Sequence, residues 1–177
     1  MRYVLAVLLL IISVPNSYGK DQVSGKMMVK EKSISIKYVY PYLAPNTFAS
    51  MYPEKYKDKK DLQLLFSDNE VPEKAFPKDN DGNSKLLDLM RADKVHAFLI
   101  IFDGETKQMT TLGEEGAVYI NDVSPGRFGM QGYYMVEYLK YEDKTIEGKV
   151  RMYEDVIDTA GWDFNVKFKV NLPPEVR

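Results

Sequence analysis

Trp162-Asp163-Phe164-Asn165-Val166-Lys167-Phe168-Lys169-Val170 is apolar at every even position and polar at every odd one. Successive side chains of a strand point to opposite faces, so this alternation marks a strand with one face buried and the other in water. Pro173-Pro174 ends it. The preceding segment follows the same rule. Ile146, Val150 and Met152 share one face with Gly148 in their row, and Thr145, Glu147, Lys149 and Arg151 occupy the other. Tyr133 to Tyr141 is rich in Tyr, Val and Met, and the short polar link Glu142-Asp143-Lys144 joins it to that segment. Three consecutive antiparallel strands are predicted from Tyr133 to Val170.

His96 to Phe102 is apolar on both faces apart from His96, which suits a central strand covered on both sides. Asp103-Gly104 follows, a hairpin signal that folds Glu105 to Leu112 back against it. Ala117 to Ile120 reads as a further short strand. Lys26 to Val29 and Ser33 to Tyr42 read as a hairpin across Lys30-Glu31-Lys32, with Ile34, Ile36, Tyr38 and Tyr40 on one face. In Asp61 to Phe66, Leu62, Leu64 and Phe66 alternate with Asp61, Gln63 and Leu65, giving about nine strands in all. One helix is expected, over Ser84 to Ala92: Ser84 serves as N-cap, and Leu86, Leu87, Leu89 and Met90 recur at spacings of three and four. Two long connections, Ala44 to Lys60 and Ser67 to Asn83, interrupt the strands, and such lengths point to binding or mobility. The expected fold is mainly β, an antiparallel β-sandwich with one short helix; a partly open β-barrel is the alternative.

The first residues carry the order of a secretory signal: Met1-Arg2, an apolar run from Tyr3 to Ile12, then Pro15-Asn16 and Ser17-Tyr18-Gly19. Cleavage is expected after Gly19. An apolar run of about 12 residues is too short for a membrane span, which needs about 20. No Cys follows the cut to carry a lipid, and no later segment approaches spanning length. Residues 20–177 are therefore expected as one soluble domain, periplasmic or extracellular, with 23 basic and 26 acidic side chains, a net of −3. Small secreted domains of host type are commonly Cys-dense, so an exported chain without Cys leans toward a bacterial source.

Composition removes much chemistry. The 177 residues hold no Cys, which excludes disulfides, thiolate metal sites, iron–sulfur clusters and thiol nucleophiles. A single His, His96, excludes metal sites that need two or three imidazoles. The 24 Lys and Arg against 26 Asp and Glu leave no basic footprint for nucleic acid.

Each motif that suggests chemistry has a plainer reading. His96 opens the most apolar strand, where an imidazole is expected as a packed structural residue, not a base. The Ser-x-x-Lys spacing of a serine–lysine dyad occurs only at Ser17, at the cleavage site, and no Gly-x-Ser-x-Gly elbow is present. Asp79-Asn80-Asp81-Gly82-Asn83 mimics a calcium loop, but aligning Gly82 with its glycine puts Pro77 and Asp88 where the end ligands belong. The cluster reads as turn chemistry. Glu154, Asp155, Asp158 and Asp163 read as a solvated acidic turn. Gly126, Gly129 and Gly132 mimic a phosphate loop but precede a strand, where such a loop requires a helix. Neither a cofactor, a metal site nor a catalytic residue is expected.

Tyrosine, present 13 times, combines an apolar ring with a polar tip, as recognition surfaces do. Tyr42 leads into the first long connection, which holds Tyr52, Tyr56, Lys55, Lys57, Lys59 and Lys60, so Tyr42, Tyr52 and Tyr56 are the candidate binding residues.

The succession Gly25-Lys26-Met27-Met28-Val29, Ile36-Lys37-Tyr38-Val39-Tyr40, Leu62 to Asp68 ending before Val71-Pro72, the helix, and the strand Phe98 to Gly104 resembles exported bacterial domains of unassigned function. The resemblance spans most of the chain beyond Gly19. It implies an exported strand-rich domain and carries no catalytic residue. The expected function is non-enzymatic binding of a protein or small-molecule ligand. A carboxylate-based hydrolase or lyase and a barrel-type carrier of an apolar ligand are the alternatives.

Overall fold

The computed structural model describes residues 21–29, 31–46, 49, 52–77, 80–103, 118–119, 128–129, 134–142, 144–152 and 162–176. Ten strands are present among them: β1 (Gln22–Val29), β2 (Lys32–Ser35), β3 (Tyr38–Pro45), β4 (Lys60–Ser67), β5 (Ala97–Asp103), β6 (Val118–Tyr119), β7 (Phe128–Gly129), β8 (Tyr134–Glu142), β9 (Thr145–Met152) and β10 (Trp162–Asn171). The helices are α1 (Pro53–Tyr56) and α2 (Asn80–Arg91), with 3-10 turns at Glu73–Ala75 and Pro174–Val176.

The fold is mainly β and sandwich-like, without a closed barrel. One antiparallel sheet runs β2-β1-β10-β9-β8, a second runs β3-β4-β5, and β6 pairs with β7. The three consecutive antiparallel strands expected from Tyr133 to Val170 form as β8-β9-β10, with a bulge in β8 between Val136 and Tyr138. Burial along β9 alternates strictly, and Phe164, Val166, Phe168 and Val170 of β10 all point inward.

The two large sheets stack face to face. Met27, Ile146, Val150, Phe164, Val166 and Phe168 from the first meet Leu62, Leu64, Phe66, Phe98, Ile100 and Phe102 from the second in one core. Phe66 stacks on Phe98 with ring centres 4.8 Å apart and meets Phe168 edge-on at 5.4 Å. A second core lies on the far side of the three-stranded sheet. There Leu65, Leu99 and Ile101 pack beneath Leu86 and Met90 of α2 and beneath Val71, Ala75 and Phe76. The inward face of α2 is thus the expected apolar stripe.

Four details correct the sequence expectation. The run Ser33 to Tyr42 is two strands in different sheets. The Ile36 N–H donates to Gly25 O of the first sheet, and the Lys37 N–H donates to Ser67 O of the second, so the chain changes sheet between these residues. Ile34 and Ile36 accordingly enter the inter-sheet core, while Tyr40 and Tyr42 belong to the core beneath α2. Second, among the described strands β5 is covered on both faces and lies at the end of β3-β4-β5, with β4, buried from Asp61 to Ser67, in the middle. Third, α2 starts at Asn80, four residues before Ser84, because Asn and Asp suit the start of a helix as well as a turn. Fourth, α1 supplies a second, four-residue helix inside the first long connection. Glu105 to Leu112, expected to pair with β5, lies outside the described residues. Pro41 falls inside β3, a position that strand tolerates because β4 is its sole partner among the described strands.

Candidate functional site at the β3–β4 tip

The connection from β3 to β4 is closed at its base by backbone and side chain together. The Asn46 N–H donates to Lys59 O at 3.0 Å, and Asn46 Nδ2 donates to Asp61 Oδ1 at 2.8 Å. Asn46 and Asp61 are both buried, so the latch sits inside the protein while the tip extends beyond it. Pro53 occupies the start of α1, where its fixed φ is already helical and its missing N–H costs nothing. The N–H groups of Lys55 and Tyr56 turn back to Tyr52 O, and that of Lys57 to Pro53 O.

This turn brings Tyr52 and Tyr56, four positions apart, to one side. Their ring centres are 6.5 Å apart at 66°, an edge-to-face contact. Lys55 Nζ stands 4.8 Å from the centre of the Tyr56 ring and Lys59 Nζ 5.7 Å, so two ammonium groups surround that ring. Tyr52 is 59% exposed. Seven of the nine residues from 52 to 60 are exposed and none is buried, so this part of the tip projects into solvent. Lys55, Lys57, Lys59 and Lys60 outnumber Glu54 and Asp58 there.

Tyr42 does not join them. It is buried beneath α2, its hydroxyl donates to Gln63 Oε1 at 2.7 Å, and its ring centre lies 5.1 Å from that of Phe76. Burial pushes its phenol well above the ordinary range. Of the three candidate tyrosines the structure therefore brings together Tyr52 and Tyr56 and assigns Tyr42 to the core.

His96 is buried just ahead of β5 between two carboxylates, with Nδ1 2.9 Å from Asp68 Oδ2 and Nε2 3.1 Å from Asp93 Oδ1. Neither partner stood out in the sequence. The clearest available signal was the approach of the helix end, since Asp93 takes the left-handed position after α2 that usually holds Gly. The register also places Asp103 opposite the buried Asp61.

The other motifs disperse. Asn80 to Asn83 form the first turn of α2, and Asp79 lies outside the described residues. Glu154, Asp155 and Asp158 also lie outside them; Asp163 is on β10, where partial burial raises its carboxyl above the ordinary value. Gly129 is in β7, while Gly126 and Gly132 are not described. Among the described residues no group of three or more His, Asp or Glu is placed to hold a metal, and no helix is long and apolar enough to cross a membrane.

The outer face of the five-stranded sheet is laced with charge. Glu137, set forward by the β8 bulge, meets Lys149 and Arg151 at 2.8 Å each, and the hydrogen bond from Lys149 leads in holding its carboxyl below the ordinary range. Nearby, Gln22, Ser24, Glu147, Lys167 and Lys169 line an open depression of about 330 Å³. Glu147 lies 3.6 Å from Lys169 and 3.9 Å from Lys167, so the cations there already face an anion.

Comparison with known proteins finds no matching family model, no matching curated relative and no matching solved structure.

Proposed function

We propose that this is an exported, non-enzymatic binding domain that engages its partner through the β3–β4 tip. The exposed Tyr52 ring carries this reading: it is held edge-on to Tyr56, whose own ring has Lys55 Nζ 4.8 Å from its centre. An aromatic ring costs free energy to leave in water, and a projecting ring on a latched connection is pre-positioned for contact. The latch supports this assignment: Asn46 and Asp61 fix the base of the connection without using the tip side chains. Export is supported by the charged, apolar and small-residue order of Met1 to Gly19, and sequencing of released protein is expected to begin at Lys20.

The enzymatic alternative draws on the buried Asp61 and its register partner Asp103. The tip is favoured because Asp61 is already engaged by Asn46 and is closed off from solvent. The carrier alternative requires an apolar cavity, whereas among the described residues the inter-sheet core is packed with fully buried Phe66, Phe98 and Phe164. The test is capture from native envelope and culture fractions by immobilised protein. Tyr52→Ala with Tyr56→Ala is expected to abolish capture, and undiminished capture by that variant would overturn the reading.

A further inference from the structure

We propose that the partner of the β3–β4 tip is an anionic lipid surface, an inference that rests on reading the tip as the binding site. Area argues first. A stable, specific protein interface covers about 800 Å² and about 20 to 30 residues on each side, far more than the nine described residues 52 to 60 offer. Small ligands prefer concave sites, and none of residues 52 to 60 is buried. A membrane surface needs neither condition, because it gains affinity additively from each cation brought close to it and from rings that settle at the headgroup level.

The tip carries both kinds of group. Lys55, Lys57, Lys59 and Lys60 face two acidic residues, Glu54 and Asp58, so the segment is locally positive on a chain whose formal net charge is −2. That contrast orients the protein, since an anionic surface attracts the tip and repels the remainder. Tyr56 already has ammonium groups 4.8 and 5.7 Å from its ring centre, which makes the tip a match for an anion and a poor one for a cation. The exposed Tyr52 supplies the amphipathic ring.

Cosedimentation with vesicles tests this, using phosphatidylglycerol mixed with phosphatidylcholine against phosphatidylcholine alone. The protein is expected to pellet with the anionic vesicles only and to be released between about 0.1 M and about 1 M salt, as screening shortens the range of attraction. Lys55→Gln with Lys57→Gln is expected to weaken binding roughly 30-fold, and Tyr52→Ala with Tyr56→Ala to weaken it further in the same direction. Thermal melting of each variant shows whether it is folded. Absence of pelleting with anionic vesicles overturns the lipid assignment; if capture of an envelope component still depends on Tyr52 and Tyr56, the tip reading survives and the occupant is that component. Equal pelleting of wild type and both variants places the lipid contact elsewhere and overturns the proposal, as does equal binding to both vesicle types.

Discussion

Asp68 holds His96 through three hydrogen bonds. Its Oδ1 accepts the His96 backbone N–H at 2.8 Å, its Oδ2 meets Nδ1 at 2.9 Å, and its own N–H donates to the His96 carbonyl at 3.1 Å. The clasp ties the end of β4 to the start of β5 under the C-terminal end of α2, and the Asn69 side chain adds a bond to Lys94 O at 3.1 Å. The lone histidine of the chain is engaged in holding the fold together.

The two carboxylates beside His96 are expected to respond oppositely to substitution. Asp68→Ala strands part-buried donors and is expected to cost about 2 to 4 kcal/mol, with Asp68→Asn milder because one acceptor remains. Asp93 has φ 54 and a side chain 76% exposed. Asp93→Gly relieves the left-handed backbone and loses only a solvent-screened contact, so it is expected to be neutral or to stabilise by up to about 1 kcal/mol. Chemical denaturation of the three variants checks the ordering.

Gly25 is a second backbone-determined position. Its φ is +139, and a Cβ there would collide with the Asn165 carbonyl and with Val166 Cα of the neighbouring β10. The collision is with backbone, which cannot swing aside as a side chain can. Gly25→Ala is expected to destabilise by about 2 kcal/mol or more, visible as a fall in melting temperature.

The sequence made β9 and β10 legible because each has one face in water, so period two survives in the residues themselves. It hid the crossing between Ile36 and Lys37, because the hydrogen bonds change from Gly25 to Ser67 with no Gly or Pro to mark the change. The start of α2 was hidden because Asn80 to Asn83 have the composition of a turn. At the site, Tyr42 and Tyr52 look alike in a linear reading. What separates them is Phe76 and α2, distant segments that bury the first and leave the second exposed. The Asn46–Asp61 latch was equally out of reach, since it joins the two ends of the connection across its length.

Asp21 Oδ1 accepts both the backbone N–H of Asn171 at 2.8 Å and its side-chain amide at 3.1 Å, joining the start of the described chain to the end of β10. Burial, the largest influence, raises the Asp21 pKa above its ordinary value despite these bonds. A raised folded-state pKa means that the contribution is present below the unfolded value of 3.8 and is lost as pH rises through the folded one. Asp21→Asn keeps an acceptor and removes the buried charge, so its stability relative to wild type is expected to improve between about pH 3 and about pH 7. Melting curves across that range check the sign; a relative stability that falls as pH rises would contradict it.

Photo-crosslinking in the native setting shows whether Tyr52 meets the partner. A benzophenone amino acid replaces Tyr52 in one variant and Tyr38 in another, Tyr38 being the other large exposed hydrophobic side chain among the described residues. A specific adduct from position 52 and none from position 38 is the expected result. An adduct from position 38 with none from position 52 would contradict the account, as would a silent position 52 in folded, exported protein.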